Sequence, residues 1–376
     1  MCSGSSLLAP GGAMADNLRA MPVPITDHAM IAVALNEPTT DHALAALRAG
    51  AAVADIVEVR LDLMDELDLP RLLAGRPCPV IVTNRAVREG GRWRDTEDAR
   101  LDVLRQAIDL GAEYVDVEAD AIHLIRERGQ SRLIASSHDF SKMPADLPGL
   151  WRRLAETGAD IVKLVGMAQD ARDVVAVLQV LAAADRPTIA IAMGPAGIAS
   201  RVLGLREPHC LLTFCALESG GGTAPGQLGV REILDEYGAR SLSKQTAVLG
   251  VLGPDTDGVA VTRWNQRIRA EGHDRVAVPF VVPEDASSPV SGPDVLAALR
   301  QTDVRVLVVA EPLQEVVGQA LDELERGACR RGRVNLIEIY PDRLVGGWID
   351  NEVEAVARLD AVAAVFAETT TMAGQA

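Results

Sequence analysis

The chain has 376 residues, 48% hydrophobic and 24% charged, an ordinary globular composition with enough apolar content to bury a core. Aromatics at 3% argue against base-stacking nucleic-acid modules, and a formal net charge of −16 argues against polyanions and anionic membranes as partners. The cysteines (Cys2, Cys78, Cys210, Cys215 and Cys329) are scattered and form no CxxC pair, so neither a disulfide framework nor a zinc knuckle is suggested and a cytoplasmic location is expected.

Residues 1–28 read as an N-terminal extension rich in small residues, without the basic start and apolar stretch of a signal peptide. No run of about 18 apolar residues follows, so no membrane span is expected. From residue 30 onward, β-like runs alternate with helical stretches. The runs fall at 30–35, 55–60, 80–83, 113–118, 132–137, 160–165, 188–193 and 211–216. Most are nearly continuous in apolar character, as parallel strands buried on both faces are. Between them, stretches such as 40–52, 96–111 and 170–184 carry apolar residues at helical spacing, and Gly50, Gly111 and Gly158 read as C-caps. Eight βα units over about 220 residues predict a closed (β/α)8 barrel across 29–240. The competing doubly wound sheet is disfavoured because Asn36-Glu37-Pro38-Thr39-Thr40 follows the first strand where such folds often carry GxGxxG. A second, smaller α/β domain is expected over 246–367, with β-like runs at 246–251, 276–282, 304–310 and 334–339. A polar tail follows at 368–376.

Barrel catalysis draws on the C-terminal ends of strands and the loops after them. The candidates fall there: Glu58 and Arg60 after the second run, Arg85 and Glu89 after the third, His138 after the fifth, Arg201 after the seventh, and Thr223 and Gln227 after the eighth. Lys163 lies inside the apolar sixth run. Only three of the 37 cationic residues are lysines, the others being Lys142 and Lys244. Arginine cannot form an imine, so a lysine retained in a buried strand points to a Schiff-base nucleophile; the plain alternative is a lysine salt-bridged inside the barrel mouth. His138 has the depth for acid–base work, the alternative being a hydrogen-bonded rim histidine. Arg60, Arg85 and Arg201 come from three strand ends and would together form a positive focus for an anionic substrate, although each taken singly reads as a solvated or ion-paired residue. Glu58 and Glu89 suit the holding of those arginines or the orienting of His138, and equally rim ion pairs. Thr223 and Gln227 offer neutral hydrogen bonds. His42, His123, His138 and His209 are not spaced as metal ligands, so no metal is expected. The run Gly220-Gly221-Gly222 reads as a mobile lid or spacer.

Together these motifs resemble the type I 3-dehydroquinate dehydratases over about 30–236. The matching pieces are EVRLD at 58–62, TNRxxxEGG at 83–91, YVDVE at 114–118, SSHDF at 136–140, the lysine of IVKLVGMA at 163, MGxxGxxSR at 193–201 and TAPGQ at 223–227. The resemblance implies a barrel that dehydrates 3-dehydroquinate to 3-dehydroshikimate. In it Lys163 forms an imine with the substrate ketone, His138 moves the protons and Glu89 orients His138. Arg201 binds the carboxylate, and Glu58, Arg60, Arg85, Thr223 and Gln227 grip the hydroxyls. It implies no metal or organic cofactor, a small-molecule substrate as the partner, and makes a homodimer plausible. Thr223 stands where the family often has serine, which keeps the hydroxyl.

The second segment resembles, faintly, the N-terminal substrate-binding domain of shikimate dehydrogenase, through Val334-Asn335-Leu336, LVGGWID at 344–350 and Val278-Pro279-Phe280. It departs from that pattern at Gly258 and Ala260, where two serines would stand, at Gln314 in place of the lysine, and at Trp348 in place of an asparagine; Asp350 remains. With the chain ending at Ala376, no room is left for a nicotinamide-binding domain, and no dehydrogenase activity is expected. A class I Schiff-base aldolase and a non-catalytic shikimate-pathway binding or scaffold protein are the alternative readings.

Overall fold

A computed structural model describes residues 28–254, 258–283 and 292–373. Most of the N-terminal extension with Cys2, most of the 283–293 loop, and residues 374–376 lie outside these. The first sheet has eight parallel strands: β1 (Met30–Leu35), β2 (Ile56–Arg60), β3 (Val80–Thr83), β4 (Tyr114–Glu118), β5 (Arg132–Asp139), β6 (Ile161–Met167), β7 (Thr188–Met193) and β8 (Leu212–Cys215). From β1 to β7 each strand pairs with the next in sequence, and β1 also pairs with β8. The Thr188–Cys210 bridge joins β7 to the residues leading into β8, nearly closing the barrel.

Seven helices cover the outside: α1 (Thr40–Ala51), α2 (Leu69–Ala74), α3 (Glu97–Asp109), α4 (Leu147–Ala155), α5 (Ala171–Ala183), α6 (Ile198–Leu203) and α7 (Val230–Asp235). Side-chain oxygens of Thr39, Asp68, Thr96, Asp146 and Asp170 accept the first free N–H groups of α1 to α5. Two details differ from the sequence reading. Between β4 and β5 the crossover is only a 3-10 turn, Ile122–Leu124. Gly50 is not a C-cap: it lies within α1, where an added Cβ would meet Val57 at 3.0 Å, so its role is close helix–strand packing. Gly111 and Gly158 do follow their helices with positive φ.

Alternation along the strands divides the barrel interior into two layers. The lower layer is apolar, with Met30, Ile56, Ile81, Tyr114, Ile134, Ile161 and Ile189 packed together. One pleat further along, β2 to β6 present Glu58, Thr83, Asp116, Ser136 and Lys163, all buried. A charged layer therefore rests on an apolar floor at the C-terminal mouth.

The second sheet contains β9 (Ala247–Gly253), β10 (Arg275–Val281), β11 (Val306–Val309), β12 (Glu323–Leu324), β13 (Leu336–Ile339) and β14 (Leu344–Gly347), in the order β10-β9-β11-β13-β14-β12. Strands β9 to β11 are parallel and β13 is antiparallel to both its neighbours. Its helices are α8 (Gly258–Ala270), α9 (Gly292–Leu299), α10 (Arg326–Arg331) and α11 (Glu352–Ala373). α11 runs through residue 368, where the sequence reading begins a tail. Among the described residues, no helix is long and apolar enough to cross a membrane.

Candidate active site

All nine residues singled out in the barrel sequence line one cleft of about 490 Å³, open mouth included. Lys163 projects from the middle of β6 and is 4% exposed. Its Nζ lies 2.8 Å from Asp116 Oδ2, 3.4 Å from Glu58 Oε1 and 4.4 Å from the centre of the Phe214 ring. The lysine is thus both salt-bridged and open to the cleft, and two fixed acceptors aim its amine. Thr83 donates to Glu58 at 2.7 Å and Ser136 donates to Asp116 at 2.5 Å.

Arg85 underlies this arrangement. Its guanidinium meets Asp116 at 2.8 Å and Glu118 at 3.0 Å, and donates to Ser136 at 2.8 Å. Burial opposes ionisation of Asp116, but Arg85 and Lys163 outweigh it and hold that carboxyl well below the usual range. Glu118 is shared with Arg100, 2.7 Å away. Asp116 and Glu118 escaped notice as site residues in the sequence. The signal was present: two acids at period two in a strand otherwise Tyr and Val must both point into the barrel.

His138 ends the inward row of β5. Its Nδ1 lies 2.9 Å from Glu89 Oε2, which also accepts the His138 backbone N–H at 3.0 Å. With Nδ1–H donating to Glu89, Nε2 is left as the basic atom. Burial, with the cations Arg85 and Lys163, pushes the imidazole well below its ordinary value, so it is neutral near pH 7. The turn that presents Glu89 depends on two glycines. Gly90 has φ +81°, and a Cβ on Gly91 would lie 1.8 Å from the Arg85 carbonyl oxygen. Phe140 stacks beside His138 with ring centres 6.4 Å apart.

Arg201 is carried by α6 and is 2% exposed. Its Nη atoms donate to the carbonyls of Phe214 at 3.3 Å and Pro225 at 3.2 Å, and its Nε is buried without a partner. Burial pushes the guanidinium down to about 10, and no carboxylate offsets it. An uncompensated buried cation facing a cleft is a site for an anion. Arg60 behaves differently: Asp62 holds it with two bonds of 2.8 Å. The Gln227 side-chain oxygen accepts from the backbone of Thr223 at 2.7 Å and of Ala224 at 3.3 Å, folding the last loop over the mouth. No group of residues that could hold a metal ion occurs among the described residues.

In the second unit, Gln314 is buried and donates to the Val309 carbonyl at 3.0 Å. Asp350 is exposed and accepts from Trp348 Nε1 at 3.0 Å. Gly258 and Ala260 lie at the start of α8.

A family model described as type I 3-dehydroquinase matches residues 31–244. The chain is 34% identical over 297 residues to a bifunctional 3-dehydroquinate dehydratase/shikimate dehydrogenase, chloroplastic, of Arabidopsis thaliana, covering 76% of this chain and 48% of that one. It is 37% identical over 188 residues to a 3-dehydroquinate dehydratase of Pyrobaculum aerophilum, covering 48% of this chain and 58% of that one. The chain thus spans about half the length of these two relatives. A crystal structure of 3-dehydroquinate dehydratase from Geobacillus kaustophilus aligns with a TM-score of 0.49 at 25% identity, covering 56% of this chain and 92% of that one.

Proposed function

The chain belongs to the type I 3-dehydroquinase family, and on that premise we propose that it dehydrates 3-dehydroquinate to 3-dehydroshikimate through an imine on Lys163. One observation carries the reading: Lys163, the neutral His138 and the uncompensated Arg201 line a single cleft. The Lys163 amine adds to the substrate ketone and, with loss of water, forms an imine. Once protonated, the imine draws electrons from the neighbouring CH, so a weak base suffices. His138 takes that proton through Nε2 and returns one to the departing hydroxyl, which leaves as water. Hydrolysis of the imine then frees the product and the lysine. Glu89 fixes the His138 tautomer, Arg201 holds the substrate carboxylate, and Asp116 with Glu58 aims the Lys163 amine. Arg60, Arg85, Thr223 and Gln227 serve the substrate hydroxyls and the closure of the mouth. This chemistry calls for neither a metal nor an organic cofactor.

The second unit takes no catalytic part as a dehydrogenase in this reading, because Gln314 stands where the resembling motif has its lysine and spends its amide on the Val309 carbonyl. The test is a spectrophotometric assay of the full chain with 3-dehydroquinate, following the ultraviolet absorbance that rises as the new C=C conjugates. Wild-type protein turns over and Lys163→Ala does not, while shikimate drives no nicotinamide reduction. An inactive wild type, or full activity in Lys163→Ala, overturns the proposal.

A further inference from the structure

We propose that the second unit completes the substrate-carboxylate site through an ion-pair latch, Arg206–Asp303, which makes Asp303 a positioning residue for Arg201. This rests on the dehydratase reading. The argument begins with helix α6, which continues directly into the 3-10 turn Gly204–Arg206. Arg201 and Arg206 therefore sit on one short, continuous helical segment. At its far end Arg206 is buried, its side chain 3% exposed. It makes two bonds to Asp303, Nη1–Oδ1 at 3.1 Å and Nη2–Oδ2 at 2.8 Å. It also donates to the carbonyls of Ser243 at 2.9 Å and Lys244 at 3.2 Å, the residues that lead into the second sheet. A bidentate Arg–carboxylate pair fixes orientation as well as distance. Strand β10 and helix α9 of the second unit pack on α6 and α5 respectively, so this flank of the barrel is held from outside.

At the near end, Arg201 grips the Pro225 carbonyl of the loop over the mouth, and that same carbonyl accepts the Gly194 N–H at 3.0 Å. A Cβ on Gly226 would lie 2.3 Å from the Gly194 oxygen, so the loop is seated tightly on the end of β7. The physical path from Asp303 through Arg206 and α6 to Arg201 and the loop is continuous and stiff. Arg201 has no carboxylate of its own to fix it, so its place is set by the helix that carries it together with the Phe214 and Pro225 carbonyls. Small displacements of a binding group are costly, because the substrate interaction depends on bidentate geometry.

The experiment compares full-length wild type, Asp303→Ala, Asp303→Glu and Gln301→Ala. The last removes a junction hydrogen bond to Gln179 of α5, at 2.8 Å, which does not touch α6. Kinetics with 3-dehydroquinate are run beside hydrogen exchange of the native proteins. Asp303→Ala raises KM about tenfold with kcat within about twofold, the range of a typical coupling between sites. Exchange rises in 198–206 and 223–227 and not in β1 to β4. Asp303→Glu recovers most of the KM, and Gln301→Ala leaves it unchanged. An unchanged KM in folded Asp303→Ala, or a loss of kcat alone, overturns the latch. If Asp303→Ala does not fold, Asp303→Asn keeps one acceptor oxygen while removing the charge and the second bond to Arg206, and an unchanged KM there overturns it equally. A wild type without turnover refutes the dehydratase reading instead. In that case the exchange comparison decides the latch, and no change in 198–227 sinks it.

Discussion

Ionising Glu89 is harder in the folded protein than in the unfolded chain. Burial pushes its carboxyl from the ordinary 4.5 to about 7, with Arg85 opposing and Glu118 and Asp116 adding to the rise. A group whose folded value is raised stabilises the fold fully below its unfolded value and loses that contribution as pH climbs through the folded one. At about 1.4 kcal/mol per pH unit, Glu89→Gln should be more stable relative to wild type at pH 8 than at pH 4.5 by about 3 kcal/mol. Urea midpoints at the two pH values check this, and a difference independent of pH contradicts it. The same variant should lose turnover, because an amide cannot balance an imidazolium. At this scale the sequence was informative about single groups and silent about their sharing. Lys163, His138 and Arg201 stand out by type and position. That Arg85 is occupied by Asp116 and Glu118, whereas Arg201 has no acid at all, depends on which side chains meet across the barrel.

Elements place these groups, and turns place them most sensitively. The Glu89 carboxylate reaches His138 only because the chain reverses at Gly90 and passes over the Arg85 carbonyl at Gly91. A methyl group at 91 has no space, so Gly91→Ala must shift the turn. We expect kcat/KM to fall about a hundredfold, as misplacements near 1 Å do, with a stability loss of about 2 kcal/mol. Steady-state kinetics with a thermal melt test this, and wild-type kinetics would show that the turn does not set the His138 geometry. The eight strands were readable from their apolar runs because each is buried on both faces. The missing helix between β4 and β5 was not, since a short mixed stretch gives no periodic signal. Gly50 misled for a related reason: a glycine late in a helix signals a cap unless a strand residue such as Val57 presses on it. Strand β12 has only two residues and β14 ends in two glycines, so neither declares itself.

For the whole molecule, the proposed chemistry lies at one end of the barrel sheet, and the second unit packs on the flank that carries Arg201 and is ion-paired to it through Arg206 and Asp303. None of this junction was legible beforehand, because Arg206 and Asp303 are ordinary charged residues far apart in sequence until the two sheets meet. The intact chain has one further property of use. It contains three lysines: Lys142 is exposed, Lys244 is paired with Glu207 at 2.6 Å, and Lys163 is buried in the cleft. An imine formed on the full-length protein can therefore be located without ambiguity. The most direct measurement is to incubate the protein with 3-dehydroquinate, reduce with borohydride, and map the adduct by peptide mass spectrometry. A substrate-derived adduct on Lys163 alone is the predicted result. Folded protein that gives no adduct, or one spread over Lys142 and Lys244, would contradict the Schiff-base account.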